Sequence, residues 1–197
     1  MAGKTLADVA AFNLYSCFPS AVEIACQEIG LAEDDPRDLT VTGGLPYFGG
    51  PGNNYVMHSI AAMVERMRRQ PGEFGLVTAN GNYVTKHAAG LYSTTPLAHE
   101  WVREAPSILQ RELDALPKAP FTETPEGAGT IESYTVVHSK AGPELGIVVG
   151  RLADGNVRFV ANTPKDPRLF ASLEAYDALG RRGNVRKEDG RNLFVPE

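Results

Sequence analysis

The sequence is poor in several features that mark whole classes of protein. Only two cysteines, Cys17 and Cys26, occur in 197 residues, too few for the disulfide framework of a small secreted scaffold. Nine positions apart, they would face opposite sides of a single helix and could not pair there. No run of eighteen apolar residues is present, so no segment reads as a membrane-spanning helix. The opening MAGKTLADVAAF lacks the basic start, apolar run and cleavage site of a secretory signal. A cytoplasmic setting without membrane association is the expectation. There is no long basic run and the net charge is −5, which disfavours broad nucleic-acid binding through phosphate neutralisation. His99-Glu100 has no second histidine at the spacing of a zinc-binding helix, and no Cys/His spacing fits a metal site, so no metal is expected.

What is present is 43% hydrophobic residues with 20 glycines and 14 prolines, enough apolar mass for one medium core or two small ones. Val9 to Leu14 reads as a buried strand. A helix follows, with Pro19 in its first turn, Gly30 at its stop and Phe18, Val22, Ala25 and Ile29 as its apolar side. Thr40 to Thr42 is a brief strand candidate, and a second helix runs from Tyr55 to Arg69 with Met57, Ile60, Ala61, Val64 and Met67 as its stripe. Asn80-Gly81-Asn82 then marks a hairpin turn between Phe74–Ala79 and Tyr83–Tyr92.

The later chain reads differently. Pro106, Pro117, Pro120 and Pro125 mark a connector with one short helix, 107–116, whose Leu109, Leu113 and Leu116 share a side. Ile131–His138, Leu145–Leu152 and Val157–Asn162 are β-branched runs. Asp166 and Pro167 open a helix with Leu169, Leu173, Tyr176 and Leu179 on one face and Gly180 at its end; a last hairpin turns at Asp189-Gly190. The expected architecture is a partial α/β domain over 1–97, a linker with a short helix over 98–129, and a small β-barrel of the oligonucleotide/oligosaccharide-binding (OB) type with one helix over 130–197.

For chemistry, the loop Gly49-Gly50-Pro51-Gly52-Asn53-Asn54 is the most informative segment. Glycines before a helix let the backbone approach a ligand closely and leave N–H groups for an anion or a developing oxyanion. A plain tight loop with an Asn cap fits the same letters. His58 stands in the first turn of the following helix, where it either faces a site or simply packs. Cys17 has a helix dipole available to its thiol but no identifiable base, and reads as a small buried residue ahead of a nucleophile; Ser16 reads as a cap of the same helix. Arg181, Arg182, Arg186, Lys187 and Arg191 form either a modest anion patch or a solvated face.

The order strand, Tyr15-Ser16-Cys17-Phe18, helix, Gly43-Gly44-Leu45, Gly49-Gly50-Pro51, helix, Gly75-Leu76-Val77-Thr78 and glycine turn is similar to the C-terminal half of thiolases, above all their sterol-carrier branch. Residues 104–197, with Gly146-Ile147-Val148-Val149-Gly150 and Arg158-Phe159-Val160-Ala161-Asn162, look like the additional C-terminal domain of type 1 thiolase-like proteins. The resemblance covers nearly the whole chain. It places the family's Asn-Glu-Ala-Phe motif on Tyr15 to Phe18, where only the Phe is kept; the sterol-carrier branch has His-Asp-Cys-Phe, so Cys17 matches a structural position. The Gly-His-Pro motif falls on Gly49-Gly50-Pro51, with Gly50 in place of the catalytic histidine. The Cys-x-Gly motif falls on Ala79-Asn80-Gly81, with Ala79 in place of the proton-shuttling cysteine. Condensation or thiolysis needs a thiolate, its base and a second acid/base, and none of the three stands here in standard form.

The resemblance therefore implies an acetyl-CoA acetyltransferase-like acyltransferase homologue that takes a coenzyme A thioester as substrate, with no further cofactor. Its implied partner is a thiolase N-terminal-half chain carrying the nucleophile, or a second copy of itself. Asn53 or its neighbour Asn54, as in the related ketoacyl synthases, would hold the thioester oxygen, with Asn53 as the catalytic candidate, and His58 would replace the missing histidine. Gly49, Gly50, Pro51, Gly52, Asn54, Asn80 and Gly81 would line the substrate. The alternative is a non-catalytic protein that binds coenzyme A thioesters or a partner. Single-stranded nucleic-acid binding by the OB-like region has little support without an aromatic stacking platform.

Overall fold

The computed structural model describes residues 1–197, which divide into two compact units, Met1–Ile108 and Leu109–Glu197. The division falls inside a short helix, Pro106–Asp114 (α3). No helix is long and apolar enough to cross a membrane.

In the first unit, Val9–Asn13 (β1) and Phe74–Gly81 (β2) pair in parallel, and Lys86–Ser93 (β3) pairs antiparallel to β2. The sheet order is β1-β2-β3, so β3 is an open edge. The other edge is partly covered: Thr40 bridges Asn13, and Phe12 and Leu14 donate their amides to Asp38 and Leu39. Thr40 to Thr42 is thus a single bridge and not a strand. Two helices, Pro19–Ile29 (α1) and Tyr55–Arg69 (α2), pack on the sheet. Phe12 and Leu14 pack with Cys26, Val22 and Ile29 of α1, whereas Ala11 and Val77 pack with Met63 and Met67 of α2. The alternation of side chains along β1 produces these two layers.

On α1 the expected side faces inward, Val22, Ala25 and Ile29 packing around Cys26, whereas α2 turns inward a side other than the one its apolar letters indicate. On α1 the buried residues are Ala21 and Cys26, and Phe18 is exposed. On α2 the buried ridge is Tyr55, Ser59, Met63 and Met67, and Met57 is 68% exposed. That ridge keeps the four-residue period of a helix face. Two of its members carry hydroxyls because β1 presents them with Asn13. The hairpin also differs: Asn80 and Gly81 lie in β2, and the turn is Asn82 to Thr85, with Asn82, Tyr83 and Val84 all at positive φ. Extending the ladder to Gly81 and Lys86 removes Asn80 from the turn.

The second unit is a closed five-stranded barrel in the order β4-β5-β6-β8-β7. The strands are Gly127–Ser139 (β4), Gly142–Leu152 (β5), Arg158–Asn162 (β6), Arg182–Glu188 (β7) and Arg191–Pro196 (β8). With helix Pro167–Ala175 (α4) between the third and fourth strands, this is the OB strand order. Asp166 caps α4 by accepting from the Arg168 amide, and the helix ends at Ala175, so Tyr176 and Leu179 lie beyond it and are exposed. Asp189 and Gly190 turn the last hairpin with positive φ at both positions. Phe159 and Phe194, both fully buried, fill the interior with ring centroids 5.9 Å apart. A side chain at Gly150 would collide with the Phe159 ring, and one at Gly129 would collide with the Arg151 carbonyl and press on the same ring. Closure is thin at one seam, where β6 and β8 share a single parallel pair, Asn162 with Leu193. The Asn192 amide reaches across it to the carbonyls of Val160 and Glu123, 3.1 Å from each.

On the barrel surface Glu132 accepts from Arg158 at 2.6 Å and from Arg151 at 2.8 Å. Hydrogen bonds from Arg158 and then Arg151 hold its carboxyl down to about 2. A depressed carboxylate stabilises the fold fully above its unfolded value of about 4.3, and that stabilisation disappears as pH falls toward the folded value. Glu132→Gln is therefore expected to melt below the native chain at pH 6, with the gap closing between pH 4 and 2. A gap of equal size at pH 6 and pH 2.5 in thermal melts would refute this account.

Candidate functional site

The carboxyl ends of two parallel strands are where open α/β sheets build sites. Here β1 ends at Asn13, opposite Val77, while β2 runs on to Gly81, and the chain after β1 continues along that extension through side-chain rungs. The Tyr15 amide donates to Thr78 Oγ1 at 2.9 Å, and the Cys17 thiol donates to Asn80 Oδ1 at 3.7 Å. The glycine loop 43–54 leads from this edge into α2.

A buried polar network holds the loop there. Asn13, fully buried, donates from its amide to Ser59 Oγ at 2.8 Å, and its oxygen accepts from the Thr42 amide and hydroxyl at 3.3 and 3.2 Å. Thr42 Oγ1 lies 2.7 Å from the Tyr55 hydroxyl, which lies 3.1 Å from Ser16 Oγ; Ser16 Oγ in turn accepts from the Leu45 amide at 2.9 Å. An amide oxygen can only accept, so Thr42 donates to Asn13, Tyr55 to Thr42 and Ser16 to Tyr55. The hydroxyl protons thus point one way along the chain, from the loop toward β1. Ser16 is therefore the anchor of Leu45 and not the cap of α1, whose first position follows Phe18 with no side-chain cap.

Within the loop, Gly43, Gly44, Gly49, Gly50 and Gly52 all have positive φ, between 56° and 103°. Around Gly43, Gly49 and Gly52 there is open space for a Cβ, so the requirement there is backbone conformation and not room. Gly52–Asn54 forms one 3-10 turn into α2, and the Asn54 side chain makes no cap. Gly49, Gly50, Gly52, Asn53 and Asn54 are exposed and Pro51 half-buried. His58 is exposed, its ring edge-on to Phe48 at 5.2 Å, while Phe48 leans on Tyr55 at 6.1 Å. Asn80 and Gly81 are half-buried at the end of β2, where Asn80 holds Cys17. The structure thus joins Asn80 to the strand ends and sets Gly49 to Asn54 in the anchored loop, and His58 is engaged with Phe48. Sequence reasoning missed Asn13, Thr42 and Tyr55, and no local pattern marks them; Tyr55 and Ser59, four apart on one helix face, are the one periodic trace.

Two parallel strands, an anchored glycine loop running into a helix and, as a separate unit, an OB-type barrel define a thiolase-like α/β unit with an appended barrel. Residues 108–191 match the family model of the thiolase-like protein type 1 additional C-terminal domain. A solved structure, a monomeric SCP2-thiolase like protein type 1 from Mycobacterium smegmatis, superposes with a TM-score of 0.85 at 48% identity over 98% of this chain and 42% of that one. The chain spans well under half of that protein's length. Comparison with curated proteins finds no match. The chain belongs to the thiolase-like proteins, as the C-terminal part of that architecture.

Proposed function

We propose that this chain forms the substrate-cradling, C-terminal portion of a thiolase-like site for a coenzyme A thioester. The nucleophilic cysteine would come from the N-terminal portion of the family's architecture, whether on a partner chain or in a longer polypeptide. The observation that carries this reading is the buried network from Asn13 through Thr42 and Tyr55 to Ser16. Burying so many polar groups in a thin layer is unfavourable unless all are satisfied, and a satisfied network specifies one geometry. Here that geometry is the position of an exposed glycine loop over two strand ends.

A second reading, binding without acyl transfer, is favoured by two observations. Gly50 occupies the position of the family's histidine with φ 56°, and His58 is turned against Phe48. Neither supplies a base to a thiol. Calorimetry with acetyl-CoA and coenzyme A, and an acetyl-exchange assay with and without a thiolase-like N-terminal half, separate the two. The first reading expects heat of binding and exchange only when the N-terminal half is added. Binding without exchange establishes the second reading. No heat with either ligand, with or without the added half, overturns both.

A further inference from the structure

The thin seam of the barrel opens onto a cleft. Asn162 and Leu193 form the one backbone pair between β6 and β8, and the residues that follow β6 and those of the β7–β8 hairpin line a cavity of about 480 Å³. That is the size of a small-molecule site. Leu145, Pro164 and Leu193 supply its apolar lining. Its polar groups fall into two sets. Asn192 is spent on the carbonyls of Val160 and Glu123, and Glu188 already accepts from Arg186 Nε at 3.0 Å and Nη2 at 2.6 Å. In contrast, no ion pair of the protein engages Lys165 or Arg191, and the half-buried Asn162 amide has no partner within the chain. Asp189, at the turn of the hairpin, is the one lining carboxylate without a cation. Two unpaired cations against one unpaired carboxylate leave the cleft with a surplus of one positive charge.

We propose that this cleft binds a carboxylate carried on a short apolar stem, held by Lys165 and Asn162 from the β6 side and by Arg191 from the β8 side. The guanidinium fork matches the two oxygens of a carboxylate, and charge-assisted bonds of this kind are the strong ones. A monoanion balances the surplus charge, whereas a phosphate dianion would leave one charge uncompensated beside Asp189. The stem lies on Leu145, Pro164 and Leu193. Such a ligand spans the junction where the backbone makes a single pair, so its binding also fastens β6 to β8. The cleft lies wholly within Leu109–Glu197 and is independent of any coenzyme A site in the α/β unit.

The test is a nuclear magnetic resonance titration of the full chain with four probes. Hexanoate and N-acetylleucine carry the carboxylate on a free chain and at a peptide end, hexanamide has the same stem without charge, and hexyl phosphate is the dianion. Hexanoate is expected to shift amide signals on both sides of the cleft, those of Asn162 and Lys165 and those of Arg191 and Asn192, and to slow amide exchange in β6 and β8. Hexanamide is expected to bind about tenfold more weakly, the loss of one charge-assisted hydrogen bond. The tighter of hexanoate and N-acetylleucine names the source of the carboxylate. Lys165→Gln and Arg191→Gln are each expected to weaken hexanoate by about three- to tenfold. Lys187→Gln, an equal change of charge on β7 outside the cleft, is expected to leave it unchanged. All three residues are exposed, and the ligand-free spectrum of each variant reports its fold. Equal affinity for hexanoate and hexanamide, tighter binding of hexyl phosphate, an equal loss in Lys187→Gln, shifts on one side only, or no shift with any probe would each overturn the assignment.

Discussion

Phe159→Ala is expected to lower the stability of the barrel by about 3–5 kcal/mol, the range for removing a large buried ring. The high end is favoured by what surrounds it. The ring is fully buried and lies over Gly129 and Gly150, with Phe194 as its neighbour. Glycine has no side chain to lean into a void, so the walls of β4 and β5 that face the ring have nothing with which to fill it. Urea unfolding followed by a barrel-specific signal, such as amide exchange in β5 and β6, measures the loss. A change under about 1 kcal/mol would mean that the barrel collapses around the gap and that its interior is not close-packed.

The second large effect is expected in the other unit. Asn13→Leu replaces an amide with an apolar group of similar volume, leaving the Thr42 amide and hydroxyl without their acceptor and Ser59 without one donor. Leaving buried polar groups unpaired destabilises by roughly 1–3 kcal/mol, and the shared loss points to the upper part of that range. The loop 43–54 is tied to β1 through Thr42 and Tyr55, so the variant is also expected to lose exchange protection at the Leu45 amide and to bind acetyl-CoA more weakly. An unchanged denaturation midpoint with native protection at Leu45 would show that the loop is held by other means.

These effects mark the boundary of what could be read in advance. The helix Tyr55–Arg69 was legible to the residue, because Asn54, the apolar recurrence and the closing arginines are all local. Its inward side was not: Tyr55 and Ser59 do not register as apolar, and they face the core only because Asn13 is there to meet them. Asn13 and Ser59 are 46 residues apart, and Ser16 and Tyr55 are 39 apart. A network built across such separations leaves no spacing to recognise. The turn after Asn80 was misplaced for a related reason, since the strand ladder and the Cys17 thiol hold Asn80 against a local preference for turning. For the barrel, strand runs and the Asp189-Gly190 turn were local and readable, whereas closure depends on one pairing between strands that a helix and another strand separate. The motif substitutions at Gly50 and Ala79 were visible in the letters; the engagement of His58 with Phe48 needed coordinates.

That one pairing gives the barrel an uneven mechanical character. Four of its five junctions are ladders that run along the strands, while the β6–β8 junction is one rung with the Asn192 amide as a latch. The object behaves less like a pipe than like a split ring. Any load placed on its wall relaxes at the gap, so the circumference there adjusts before any other junction gives way.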